Sequence, residues 1–179
     1  HTRYWRDWSS DVCSSDLESA GHPHLPPADY SLVAKGEGGE VYSFCMCPGG
    51  EILPSSEREG YLCVNGASRY QRRSPWANSG FVVTLEPADF GEGDEPLAGI
   101  ELQEKIERGA FEAAGGSFAV PALRLGDFLS GNVSADLPEC SYPRPLVATD
   151  FSRFLPAFIL DALRSGLQDL VDRKSTRLN

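Results

Sequence analysis

The residues with the clearest chemical potential lie in one short segment, residues 41–50, which holds two cysteines followed by a proline and two glycines. The run before the proline is apolar and β-favouring, so it predicts a buried strand. Pro48 and Gly49 suit the central positions of a type II turn, because proline fixes φ and glycine accepts a positive φ. The backbone at Gly49 and Gly50 can approach a ligand closely, since no Cβ intervenes. The segment therefore predicts a strand that ends in a turn with ligand-ready backbone donors.

Cys45 and Cys47 allow two interpretations, thiols that are buried for packing and ligands of a metal site. In a regular strand both side chains project from the same face, and Cys63 on a neighbouring strand could join them. Structural zinc sites favour cysteine pairs with two to four intervening residues, so a single intervening residue fits poorly. Free cysteines are usually buried as small hydrophobic side chains. We therefore expect buried, reduced thiols, no metal site and a cytoplasmic, reducing compartment.

Two asparagines add polar groups to this picture. Asn65 and Gly66 follow an apolar run over 61–64, and the pair is suited to positive φ, so it predicts a turn that ends a strand. Asn78 precedes the apolar run 81–85, which predicts a further strand.

Hydrophobic periodicity divides the chain into a strand-rich part, residues 30–86, and a helix-rich part, residues 96–172. Helices are expected from Pro96 to the glycines at 115–116, from Pro121 to Ser130 with Gly131 after it, and from about Pro156 onward. The sequence therefore predicts an α+β fold, an antiparallel β-meander followed by about three helices.

Charge and hydropathy exclude several classes of function. The chain has 16 basic and 26 acidic residues, a net charge of −10, which disfavours binding to a phosphate backbone, so no nucleic-acid partner is expected. The sequence contains no run of 18 apolar residues, so no membrane association is expected. His22 and His24 lie in a proline-rich segment and are expected at the surface. The sequence therefore predicts no Ser–His–Asp or Cys–His catalytic set.

The two ends of the sequence differ in character from the rest. Residues 1–17 show neither helical nor strand periodicity and resemble translated sequencing-adapter sequence, and residues 173–179 resemble the matching segment at the other end. Such segments are set aside before the fold is considered. We therefore expect residues 18–172 to be an internal piece of a longer protein.

The motifs of this interior segment resemble those of a bacterial family of uncharacterised FAD-dependent dehydrogenases, also described as NAD(P)/FAD-dependent oxidoreductases. The segment 41–50 is similar to the signature of that family, and further matches follow in the same order. They are Val64–Tyr70, Ala77–Val83, Pro96–Ile100 and Gly126–Leu129. The resemblance covers essentially all of residues 18–172. Departures include Cys63, where the family commonly has valine or threonine, and Ala67, where it commonly has methionine.

The resemblance implies that this chain is an incomplete piece of a larger two-domain flavoprotein. In such proteins FAD is held by a glycine-rich strand-to-helix turn near the N-terminus and a second glycine-rich segment near the C-terminus. Residues 36–39 do not match the dinucleotide-binding fingerprint. FAD is therefore expected in the full-length parent and not in this chain alone.

The resemblance also implies a place beside the flavin, on the substrate side, for residues 18–172. The expected partners are the missing N- and C-terminal parts of the same protein, with NAD(P)H and a small-molecule substrate. The chain alone is expected to be inactive. A non-catalytic β-meander and helix interaction module, or a cysteine-based zinc-binding module, remains the alternative. The candidate residues facing the flavin or the substrate are Cys45, Cys47, Pro48, Gly49, Gly50, Asn65, Gly66 and Asn78.

Overall fold

The computed structural model describes residues 32–36, 39–90 and 95–177 of the chain. Within these ranges it contains seven strands and three α-helices, which confirms the predicted α+β fold class. The strands are β1 (Val33–Gly36), β2 (Gly39–Pro48), β3 (Gly50–Pro54), β4 (Val64–Ser68), β5 (Ala77–Val83), β6 (Val120–Ala122) and β7 (Leu146–Ala148). The helices are α1 (Ala98–Ala113), α2 (Leu125–Ser130) and α3 (Ala157–Arg177). Short 3₁₀ helices cover Pro87–Phe90 and Phe151–Arg153.

Strand β2 is the centre of an antiparallel sheet with β1 on one side and β5 on the other. Its side chains alternate over the first part, with Val41 and Ser43 buried and Tyr42 and Phe44 exposed, as expected for a sheet with one covered face. Helix α3 supplies that cover, since it contacts all three strands. The contact is closest at Gly166, where an added Cβ would lie 2.6 Å from the Val41 Cβ.

A β-bulge interrupts β2 beside the first cysteine. The pairing of β2 with β5 is regular up to Phe44 and resumes at Cys47, and Cys45 has a positive φ of 48°. A positive φ is unusual for a residue other than glycine and marks local backbone strain. Because the bulge shifts the register, the regular strand geometry expected for Cys45 and Cys47 is wrong.

The second sheet is a hairpin of β3 and β4, and it follows β2 almost without a break. Gly49 separates β2 from β3 and has a φ of +62°, which confirms the positive φ predicted at this turn. The predicted strand over 61–64 is wrong, because pairing begins only at Val64. The turn predicted at Asn65–Gly66 is wrong for the same reason: both residues lie inside β4, opposite Leu53 and Ile52.

The helices follow the predicted order, with one substantial difference. Helix α1 ends just before Gly115 and Gly116, both of which have positive φ, as expected of glycines that terminate helices. The second helix was expected from Pro121, but residues 120–122 form β6, which pairs in parallel with β7. Helix α2 therefore begins only at Leu125, and Gly131 ends it in the left-handed conformation, as predicted.

Helix α3 begins directly after Pro156, as predicted, and continues through Arg177. It therefore includes residues 173–177, which resembled an adapter-derived end in the sequence. It packs against β1, β2, β5 and α2, and the buried apolar residues of the helices are mostly small and medium in size. These residues include Ala110, Ala113, Phe128, Ile159, Leu160, Ala162 and Leu170.

Several sequence expectations lie outside the described residues. These are the N-terminal segment 1–17, His22 and His24, the start of the strand predicted over 30–35, and residues 37 and 38 of the loop expected at 36–40. The other residues of that expected loop are in strands, Gly36 in β1 and Gly39 and Glu40 in β2, so the loop is shorter than predicted. Within residues 32–36, 39–90 and 95–177, no helix combines the length and the apolar character that a membrane crossing requires.

Candidate functional site

The Cys47–Gly50 segment lies where the two antiparallel sheets meet. Cys47 is paired with Asn78 and Pro48 with Ala77 across β2 and β5. On the other side of the turn, Gly50 is paired with Ser68 of β4. The Ser68 hydroxyl donates a hydrogen bond to the Pro48 carbonyl oxygen over 3.2 Å. The turn is therefore held from both sheets, and its conformation is fixed by its neighbours.

The glycines of this turn are in contact with protein where their side chains would be. A Cβ added to Gly49 would lie 2.0 Å from the Arg72 carbonyl oxygen. A Cβ added to Gly50 would lie 2.7 Å from both the Ala67 carbonyl oxygen and the Cys47 Cβ. Glycine is thus required here for the close approach of chain segments. The turn has no open cradle at these faces for the phosphates of a dinucleotide.

Asn78 is brought against Gly66, so these two residues from distant parts of the sequence form one contact. A Cβ added to Gly66 would lie 1.8 Å from the Asn78 Oδ1. The Asn78 Nδ2 is buried and has no hydrogen-bond partner among the described residues. Because a buried amide without a partner costs free energy, such a group points to a ligand or a water that completes it.

The candidate asparagine on β4 is placed differently from its neighbour Gly66. Asn65 is exposed and is paired with Leu53. Since successive residues of a strand point to opposite faces, Asn65 and Gly66 do not share a face of the hairpin. The structure therefore brings Gly66 and Asn78 together and leaves the Asn65 side chain at the surface.

The cysteines are more accessible than expected. Cys45 is exposed, and Cys47, Cys63 and Cys140 are partly exposed; all four are free thiols. The expectation of buried thiols is therefore wrong, and the bulge is the reason for Cys45, because it carries this residue out of the regular alternation. The Cys47 Sγ donates a hydrogen bond to the Cys45 carbonyl oxygen over 3.4 Å.

The cysteines do not assemble a metal site within the described residues. In the ranges 32–36, 39–90 and 95–177 no group of three or more histidine, cysteine, aspartate or glutamate side chains is placed to hold a metal ion. The zinc-binding alternative therefore receives no support from this part of the chain.

A large cavity of about 650 Å³ opens beside Asn78. Its walls come from the start of β5, from residues 120–127 and from residues 137–142. The apolar lining includes Ile52, Trp76, Val120, Leu125 and Leu146. This volume lies within the range of ordinary small-molecule sites, which is roughly 300–1,000 Å³.

Sequence reasoning missed this cavity, because its walls come from segments that are distant in the sequence and meet only in the folded chain. Asn78 was singled out, but Trp76 and Ser141 were not. Ser141 accepts a hydrogen bond from the Ile52 N–H over 2.9 Å, between residues 89 positions apart in the chain. Such a contact leaves no periodic or spacing signal in the sequence. The Pro75–Trp76 pair directly before β5 is the nearest local signal of the cavity.

Two of the ionisable side chains that line the cavity, those of Arg124 and Tyr142, are engaged by other parts of the chain. Arg124 forms an ion pair with Asp136, and its Nε also donates to the Asp136 carbonyl oxygen over 3.0 Å. Tyr142 is buried and donates a hydrogen bond from its hydroxyl to the Phe118 carbonyl oxygen over 2.8 Å. Burial raises the pKa of Tyr142, because it penalises the charged phenolate, and Arg144 opposes this only in part. Tyr142 is therefore a neutral structural donor at ordinary pH.

Sequence comparison assigns the chain to a family. Residues 15–177 match the family model described as FAD-dependent protein, C-terminal domain-like. The chain belongs to this family. This confirms the FAD-dependent family that the motifs of the sequence resembled.

A relative from Clostridium beijerinckii is 40% identical to the chain over 150 residues. It is described as an uncharacterized protein. The aligned region covers 82% of this chain and 28% of the relative. The chain therefore spans little more than a quarter of the length of the relative it matches.

Proposed function

We propose that this chain forms the substrate-side region of a longer FAD-dependent oxidoreductase, with the Cys47–Gly50 turn and Asn78 beside the flavin or its substrate. The observation that carries this proposal is the pairing of Cys47 with Asn78 at the corner where the two sheets meet. The family implies FAD in the longer protein. This corner supplies a thiol paired with an unpartnered amide, and the amide lines a cavity.

The contacts of Gly49 and Gly50 indicate which part of FAD this region does not hold. Their Cα faces contact Arg72 and Ala67, so the phosphates of FAD are held by other parts of the longer protein. The flavin supplies the electron transfer when it is bound, and the protein supplies position and polarity. The role of Asn78 is then to orient a hydrogen-bond acceptor, and the role of Cys47 is to hold the backbone of Asn78 in place through the pairing of β2 with β5.

The remaining N- and C-terminal parts of the longer protein are the proposed partners of this region. NAD(P)H is the proposed electron donor and a small molecule the proposed substrate. The chain without these parts is expected to be inactive, because its described residues provide no dinucleotide cradle.

Flavin content tests the proposal at the level of the whole protein. The full-length Clostridium beijerinckii relative and the 179-residue chain are purified, incubated with FAD and desalted, and their visible spectra are recorded. We expect the absorption bands of bound oxidised flavin for the full-length protein and none for the chain. A full-length protein that is folded and retains no flavin contradicts the proposal.

The place of Asn78 beside the flavin or substrate is tested in a full-length protein that contains this chain. Asn78→Leu is compared with Asn132→Leu, which makes the same change at an exposed residue outside the cavity lining. We expect Asn78→Leu to shift the flavin spectrum or to slow flavin reduction by NADH or NADPH, while Asn132→Leu does neither. Identical spectra and reduction rates in the two variants place Asn78 away from the site.

A further inference from the structure

The cavity beside Asn78 combines an apolar wall with hydrogen-bond donors. The Asn78 Nδ2 is buried and has no hydrogen-bond partner among the described residues. Trp76, which carries an indole N–H donor, lies in the wall of the same cavity. The Ser141 hydroxyl accepts from Ile52, which leaves its own proton free to donate. All three residues line the cavity.

The charges at the cavity disfavour an anionic ligand. Arg124 is the cation among the described lining residues, and its guanidinium is already engaged by Asp136. Asp127 and Glu139 also line the cavity, and the chain carries a net charge of −10. An anion would therefore enter against like charge and without a free cation to pair with.

We infer that this cavity binds a neutral, largely apolar molecule that carries a carbonyl-type hydrogen-bond acceptor. The acceptor is placed against the donors of Asn78 and Trp76, and the apolar part fills the wall formed by Ile52, Leu125 and Leu146. The Asn78 Nδ2 is enclosed in the unliganded arrangement, so rotation about χ2, which is a soft torsion in asparagine, accompanies binding. This inference goes beyond the proposed function, because the cavity is built by this chain alone and its occupancy is measured without flavin.

Two matched probes test the predicted ligand class on the 179-residue chain. Benzophenone is neutral and has two apolar rings and one carbonyl acceptor, and diphenylmethane has the same rings without the acceptor. Binding is measured by titration calorimetry and by the shift of the Asn78 side-chain amide resonance in ¹⁵N-labelled protein. We expect benzophenone to bind ~3–10-fold more tightly than diphenylmethane, since one net hydrogen bond separates them, and 4-benzoylbenzoate to bind more weakly because it is an anion.

Substitutions then locate the binding. Asn78→Leu is expected to abolish the preference for benzophenone while diphenylmethane still binds, and Asn132→Leu is expected to leave the preference unchanged. Gly126→Phe adds bulk at a cavity-lining position where an added Cβ meets nothing within 4 Å. Gly126→Phe is therefore expected to weaken the binding of both probes. Circular dichroism checks that the variant remains folded.

Two outcomes overturn the inference. One is the absence of binding by both neutral probes to a chain that circular dichroism shows to be folded. The other is binding that Gly126→Phe leaves unchanged, or a benzophenone preference that survives in Asn78→Leu, since the ligand then lies elsewhere. Lumiflavin is included as a further probe: if it binds while benzophenone does not, the cavity takes the flavin ring and the inference fails although the proposed function stands.

Discussion

The Asn78 carboxamide occupies the space that a side chain at position 66 would need, because its Oδ1 lies 1.8 Å from where a Gly66 Cβ would be. These residues belong to different sheets, so the contact ties the β3–β4 hairpin to β5. It also lies at the edge of the cavity, which Asn78 lines. The Asn78 amide can therefore lie where it does only because residue 66 is a glycine.

Gly66→Ala is expected to displace the Asn78 amide and to lower the free energy of unfolding by about 1–3 kcal/mol, the usual cost of overpacking. Asn78→Ala removes the clashing atoms, so the double variant is expected to be more stable than the sum of the single changes predicts, by about 0.5 kcal/mol or more. Urea unfolding of the four proteins measures this coupling. Strict additivity would show that the two residues are independent.

Gly49→Ala and Gly60→Ala separate backbone strain from a clash. Both glycines have positive φ, +62° and +83°, so each alanine carries strain of about 1–2 kcal/mol. Gly49→Ala also brings its Cβ to 2.0 Å from the Arg72 carbonyl oxygen, whereas an added Cβ at Gly60 meets nothing within 4 Å. We expect Gly49→Ala to be the more destabilising by at least ~2 kcal/mol, as measured by thermal and urea unfolding. If both variants lose the same free energy of unfolding, the close approach to Arg72 does not contribute to the cost of Gly49→Ala.

Gly166→Ala tests the packing of α3 on β2. Alanine is favoured over glycine in a helix by about 1 kcal/mol, but here its Cβ would lie 2.6 Å from the Val41 Cβ. We therefore expect a net loss of about 1–2 kcal/mol and partial relief when Val41→Ala is added. Gly126→Ala in α2 is the control, because nothing lies within 4 Å of its Cβ, and it is expected to gain a few tenths of a kcal/mol or more. Stabilisation by Gly166→Ala would contradict the tight contact.

The buried Tyr142 is expected to make the protein less stable at alkaline pH. Burial raises the pKa of Tyr142 in the folded state. The contribution of Tyr142 to the free energy of unfolding is therefore fully present below the unfolded-state pKa of about 10. That contribution is lost as the pH rises through the raised folded-state pKa. In Tyr142→Phe this part of the pH dependence is expected to disappear, and about 1 kcal/mol is expected to be lost at neutral pH with the hydrogen bond to Phe118.

Urea unfolding between about pH 8 and pH 11 measures this effect, a range that brackets the ordinary tyrosine pKa. Tyr70→Phe is the matched control, because Tyr70 is fully exposed. The prediction fails if Tyr142→Phe and Tyr70→Phe have the same stability at neutral pH and the same alkaline slope.

The parts of the fold that could be predicted from the sequence are those with local causes. The apolar run before Pro48 predicted β2, and Gly49 took the positive φ that its turn requires. Gly115 and Gly131 marked the ends of helices because glycine adopts the left-handed conformation at little cost. The five strands that precede the first helix, and with them the α+β class, followed from hydrophobic periodicity, whereas β6 and β7 between the helices were not predicted.

The errors arose where a distant partner decided the conformation. Asn65 and Gly66 have turn propensity, yet β3 pairs with them and holds them in a strand. Pro121 looked like a helix start, but β7 pairs with residues 120–122 and makes them a strand. In both cases hydrogen bonds to a remote segment outweighed a local preference, as they commonly do.

The sequence by itself determined the family, the α+β order and the glycine turn after β2, because these depend on motifs and on local φ preferences. Tertiary structure alone decided that Cys45 is exposed at a bulge, that Gly66 meets Asn78, and that a cavity of about 650 Å³ opens beside them. The physical reason is that a cavity and its donors are formed by segments brought together only in the folded chain. The Ser141 contact with Ile52, across 89 positions, is an example.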